Sequence, residues 1–135
     1  MYKGEIKNEK DVAIILQQES LKNWLEPVRI SVSKLDGETL NGWPSEPIHV
    51  DPGNHELELY AMHDHVQPLE PPVLKVSVKA GQVYQLDYRL TRYPGCCARA
   101  VYWLRHIGNH KDYEDYLARN PEYKVGTPLF IPSAD

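Results

Sequence analysis

The chain has 135 residues, 41% of them hydrophobic and 25% charged, the ordinary range of one globular domain with a single core. Fifteen basic against nineteen acidic residues give a net charge of −4 with no Lys/Arg run, so the electrostatic footprint of a nucleic-acid or anionic-membrane surface is missing. The longest apolar run, Val12 to Leu16, falls far short of the roughly 20 residues that span a bilayer, and two cysteines cannot build the disulfide framework of a small secreted domain.

In chain order, "MYKGEIKNEK" has no signal-type apolar region, and "VAIILQ" is the first strand candidate. Val28, Ile30 and Val32 then alternate with Arg29, Ser31 and Ser33 before Asp36-Gly37, which predicts a half-buried strand closed by a tight turn. After "DPGN", Leu57, Leu59 and Ala61 alternate with Glu56, Glu58 and Tyr60; Leu74, Val76 and Val78 alternate with Lys75, Ser77 and Lys79. In "QVYQLDYRL", Tyr84, Leu86, Tyr88 and Leu90 share one face, and Cys97 to Arg105 is a further strand.

Nine Tyr and three Trp against one Phe favour strands over a helical core. Recurrent short strands separated by turns predict a mainly β fold, an antiparallel β-sandwich. One helix is expected over 110–119, capped by Asn109, acidic at Asp112, Glu114 and Asp115, and stopped by Asn120-Pro121. Its stripe of Tyr113, Tyr116 and Leu117 suits docking on the sandwich. Leu129 to Ile131 would add an edge strand. No repeat or linker divides the chain, so residues 1–135 form one domain, with a core of about 11–106 and a helix and tail over 109–135.

The order of "YKG", "DVAII", "VRISVSKLDG", "IHVDPGNHELELY" and "VLKVSVKAGQVYQLDY" resembles small bacterial envelope proteins, commonly lipoproteins, with an immunoglobulin-like or transthyretin-like sandwich and no assigned activity. PEGA-type domains share the Asp-Gly turn and the Pro-Gly-x-His turn. The resemblance covers about residues 2–90. It implies a periplasm-facing or outer-membrane-associated protein, tethered by a lipid on a cysteine upstream of Tyr2; the alternative compartment is the cytoplasm. Read on this chain, the recurrent residues make the fold. Gly37 and Gly53 permit positive φ, Pro52 presets the turn before the long strand, and Gly81 turns the chain three residues before Tyr84, an arrangement like a tyrosine corner.

For chemistry, His63 and His65 project to one side of an extended segment, as two ligands of one metal ion would. Further donors would have to come from His49, His55, His106, His110 or the cysteines, none at a diagnostic spacing. No phosphate-binding glycine loop, Gly-x-Ser-x-Gly elbow or His-Glu-x-x-His helix is present, so the chain reads as a non-enzyme with no cofactor. Three readings of Cys96-Cys97 are open. The thiols sit on opposite faces of a strand; or they form a vicinal disulfide, strained because adjacent Cα atoms lie only about 3.8 Å apart; or they join His63 and His65 in a soft-metal or redox site. The favoured function is a non-catalytic module binding a protein or a cell-envelope component, not nucleic acid, with Trp24, Trp43 and Trp103 as anchors if exposed. The alternative is a metal- or redox-responsive protein.

Overall fold

The computed structural model describes residues 11–20, 28–40, 46–63, 70–95 and 97–122, with positions 19, 20, 28, 63, 92, 97 and 98 described through their backbone alone. The elements are β1 (Ala13–Leu16), β2 (Gln18–Ser20), β3 (Val28–Leu35), β4 (Glu38–Thr39), β5 (Ile48–Val50), β6 (Gly53–His63), β7 (Val73–Val78), β8 (Gln82–Tyr93), β9 (Cys97–Asn109) and α1 (His110–Arg119). Among the described residues the protein is therefore mainly β, with two sheets and one helix after the last strand. One sheet has the order β5-β1-β8-β9; the other has the order β2-β3-β6-β7, with β4 paired to β3.

Alternation along the strands builds the core. Ile30 and Val32 of β3, Leu57 and Leu59 of β6, and Val78 of β7 meet Ala13, Ile15, Ile48, Val50, Tyr84 and Leu86 of the other sheet in one buried cluster. Each fully buried Leu or Ile there contributes about 1.5–3 kcal/mol relative to exposure. A second, smaller cluster of Ile14, Leu16, Val83 and Ile107 lies beneath Tyr113 and Tyr116 of α1. With the main core on one face and the helix on the other, β1 is buried at all four positions. That two-sided burial is why its sequence is an unbroken apolar run rather than an alternating one.

Just past the first strand candidate the chain changes sheets. The chain leaves β1 at Leu16 and, one residue later, pairs as β2 with β3 of the opposite sheet, Gln18 facing Ile30. Two buried glutamines stitch this switch. Gln17 donates to the Glu46 carbonyl (2.7 Å) and accepts from the Val32 amide (2.7 Å), while Gln18 donates to the Leu86 carbonyl (2.8 Å). The expectation of a purely antiparallel sandwich is also corrected at one pair, because β1 runs parallel to β8, with Ile14 opposite Val83 and Leu16 opposite Gln85. Hairpin neighbours inherit opposite directions from their turn; β1 and β8 share no hairpin, and the intervening chain traverses the other sheet, so nothing forces antiparallel pairing.

Turn chemistry sets the rest. Asp36 (φ 51°) and Gly37 (φ 84°) close the β3–β4 hairpin, with Leu35 directly opposite Glu38; two successive positive φ values make the primed turn that matches strand twist. Tyr84 is buried, and its hydroxyl oxygen accepts the Lys79 amide at 3.0 Å across the turn that contains Gly81. The long β8–β9 hairpin carries a bulge near its base, where Val83 faces Gly108 and Tyr84 faces His106. The residue left over, Ile107, enters the cluster under α1. Asn109 then caps the helix: its side chain accepts the Asp112 amide (2.9 Å), and the Asp112 carboxylate accepts the Asn109 amide (3.0 Å). Leu117, the third residue of the expected stripe, is half-buried.

Candidate binding surface

Cys96, His65, Trp24 and Trp43 lie outside the described residues, as do the side chains of Cys97 and His63. By backbone, Cys97 opens β9 opposite Tyr93, and His63 ends β6 opposite Val28 in the other sheet. The proposed strand at 129–131 is likewise outside the described residues. Among the described residues, no group of three or more His, Cys, Asp and Glu side chains is placed to hold a metal ion, and no helix is long and apolar enough to cross a membrane.

Trp103 is described, and it is not in the core. Of the four large apolar side chains exposed among the described residues, three lie on the β8–β9 hairpin: Tyr93 (47% exposed), Val101 (51%) and Trp103 (38%); the fourth is Val73. Register explains the placement. Tyr84, Leu86, Tyr88, Tyr102 and Leu104 point to the main core, so the alternate pairs Asp87 with Trp103, Arg89 with Val101 and Thr91 with Arg99 stand on the outer face. Near the base of the hairpin that face is covered by Tyr113 and Tyr116 of α1; further out, Arg89, Arg99, Val101 and Trp103 are exposed.

The arm is electrically distinct from the body. Between Tyr88 and His110 the sequence has four arginines and no acidic residue, leaving eleven of the fifteen Lys and Arg for the nineteen Asp and Glu elsewhere. Asp87, just before this window, pairs with Arg105 at 3.3 Å and accepts the Tyr88 amide at 2.9 Å. On the inner face, burial raises the pKa of the Tyr88 and Tyr102 hydroxyls, helped at Tyr88 by the Asp87 charge. Both phenols therefore stay neutral at physiological pH.

A second polar focus joins two turns. His55 Nδ1 lies 2.6 Å from Asp36 Oδ2 and its Nε2 lies 2.6 Å from the Asp51 carbonyl. Both ring nitrogens face acceptors, so only the imidazolium donates to both. Burial opposes that charge, but the Asp36 carboxylate and the Asp51 carbonyl outweigh it and the pKa of His55 is raised. The Glu56 amide, donating to Asp36 Oδ1 at 2.8 Å, and His55 together lower the pKa of Asp36. The pair borders an open hollow lined also by Asn54, Lys75, Val76 and Ser77.

Sequence reasoning missed both features. A scan for windows without acid would have found the arm's charge, whereas the Asp36–His55 contact pairs two motifs that each look like a turn alone. No family model, curated protein or solved structure matches the chain.

Proposed function

We propose that this protein is a non-catalytic binding module of the bacterial envelope, an immunoglobulin-like or transthyretin-like sandwich that engages another protein or an envelope component through its β8–β9 arm. One observation carries the reading: the arm holds Tyr93, Val101 and Trp103 on view, whereas the other described large apolar side chains, Val73 apart, are buried or half-buried. Tyr, Trp and Arg are the residue types enriched in binding hot spots, and an exposed apolar patch rimmed by polar residues marks an interaction site. The envelope part of the proposal rests on the order of the Asp36-Gly37 and Pro52-Gly53-x-His55 turns, which resembles that of envelope lipoproteins.

The test is photo-crosslinking in cells with a photoreactive residue at position 101, and at 73 as the exposed control. A discrete adduct from 101 alone, abolished by Trp103→Ala, is the expected result; identical adducts from both sites would mean that the arm is not the docking face. Fractionation of the full-length gene product checks the compartment. Thiol titration with and without reductant, combined with metal analysis of untagged protein, separates this reading from a metal- or redox-responsive one built on Cys96, Cys97, His63 and His65.

A further inference from the structure

Two properties of the arm specify what it would hold, given that the arm is the docking face as proposed above. First, β9 is thirteen residues long and, among the described residues, pairs in its sheet with β8 alone. Among the described residues its second edge is thus unpaired, and such an edge offers backbone N–H and C=O groups in the spacing that an extended peptide completes. Second, the outer face beside that edge reads Arg99, Val101 and Trp103, all exposed, and half-buried Arg105 at alternate positions, cation, apolar, apolar, cation. Arg89, across from Val101, adds a further positive charge.

We infer that the side of β9 away from β8 takes an extended acidic polypeptide segment as an added strand, with side chains in the order acidic, apolar, apolar, acidic at every second residue. Cross-strand neighbours stand about 4.5–5.5 Å apart, so the two carboxylates lie beside Arg99 and Arg105 and the two apolar side chains beside Val101 and Trp103. Asp87 already engages Arg105, and an incoming carboxylate there shares the guanidinium, which has five N–H donors. Electrostatics argues against a second copy of the arm as occupant, because each arm brings four arginines and no acidic residue between Tyr88 and His110. A lipid surface satisfies the charge and leaves the strand edge unpaired.

The experiment uses the whole protein and three probes: a synthetic peptide in which Glu, Val, Val and Glu occupy alternate positions between threonines, its Lys-for-Glu counterpart, and vesicles of phosphatidylglycerol. Binding is followed by tryptophan emission and by hydrogen exchange. The glutamate peptide is expected to bind at least ~10-fold more tightly than the lysine peptide, to protect alternate amides of β9, and to lose that preference in Arg99→Glu. Equal binding of the two peptides, binding without added protection on β9, edge amides already protected in the free protein, or displacement of the peptide by the vesicles would each overturn the inference. If the glutamate peptide fails while the position-101 adduct persists and still depends on Trp103, the acidic strand is wrong and the arm stands. If both fail, the arm is wrong as well.

Discussion

His55 reaches back nineteen residues to hold Asp36 at 2.6 Å, and its second ring nitrogen holds the Asp51 carbonyl, so one imidazolium ties the β3–β4 turn to the β5–β6 turn. The charges facing it are Asp36 and Asp51 from those turns, with Glu56 on its own strand and Lys75 on β7 lining the same hollow.

This clasp makes stability depend on pH in a stated direction. His55 titrates above its ordinary 6.5 when folded, so its contribution is complete below 6.5 and is lost as pH rises through the folded value. Asp36 titrates below its ordinary 3.8, so its contribution is present above 3.8 and is lost as pH falls through the folded value. The clasp is thus strongest between about pH 4 and 6.5. Melting temperatures of the wild type and His55→Gln should differ most in that window and converge as pH rises through the folded value of His55, with a gap of about 1 kcal/mol or less because Asp36 is solvent-exposed. A constant gap from pH 5 to 9 would show that the charge of His55 is irrelevant.

The sheet switch depends on an amide rather than on volume. Gln17→Met keeps the shape but removes the partners of the buried Val32 amide and the Glu46 carbonyl. The expected loss is about 1–3 kcal/mol, the cost of leaving the buried Val32 amide unsatisfied, because Glu46 is exposed and water can replace the glutamine at its carbonyl. Urea unfolding with an unchanged slope is the measurement, and a loss below 0.5 kcal/mol (roughly the scatter of surface substitutions) would contradict the stitch.

Tyr84→Phe removes the acceptor of the Lys79 amide and leaves the ring in place. Stability should fall by about 1 kcal/mol, while crosslinking from position 101 is unchanged. Denaturant midpoints and the crosslinking assay read the two effects separately.

Gly108 is held by close approach rather than by a left-handed backbone. A Cβ there would stand 2.6 Å from the Asp112 Oδ2 that closes the capping box. Gly108→Ala should cost about 1–2 kcal/mol, the size of a lost cap, and should cost markedly less in an Asp112→Ala background. Additive losses in that double-mutant cycle would mean the clash lies elsewhere.

The strands that alternate cleanly, Val28 to Val32, Leu57 to Ala61 and Leu74 to Val78, are visible in the sequence because one face of each meets the core and period 2 records it. The helix was as plain, from Asn109 and its acidic first turn. By contrast β2 and β5 are three residues each and carry no periodic signal. The parallel contact of β1 with β8 joins residues some seventy positions apart, and no local pattern encodes direction at that range. Alternation placed Trp103 and Val101 on one face but could not say where on that face the helix ends. The contact of His55 with Asp36 was hidden for the same reason, because each lies in a turn complete in itself.

The double burial of β1 has a temporal consequence. A ribosome makes Ala13–Leu16 before any other described strand, yet this strand's flanking partners, β5 and β8, and the helix above it come from much later codons. The most apolar strand is therefore the longest to wait for cover, and it can slot between β5 and β8 only after most of the polypeptide has been translated. A nascent chain ending before Gln82 still shows this strand to the cell.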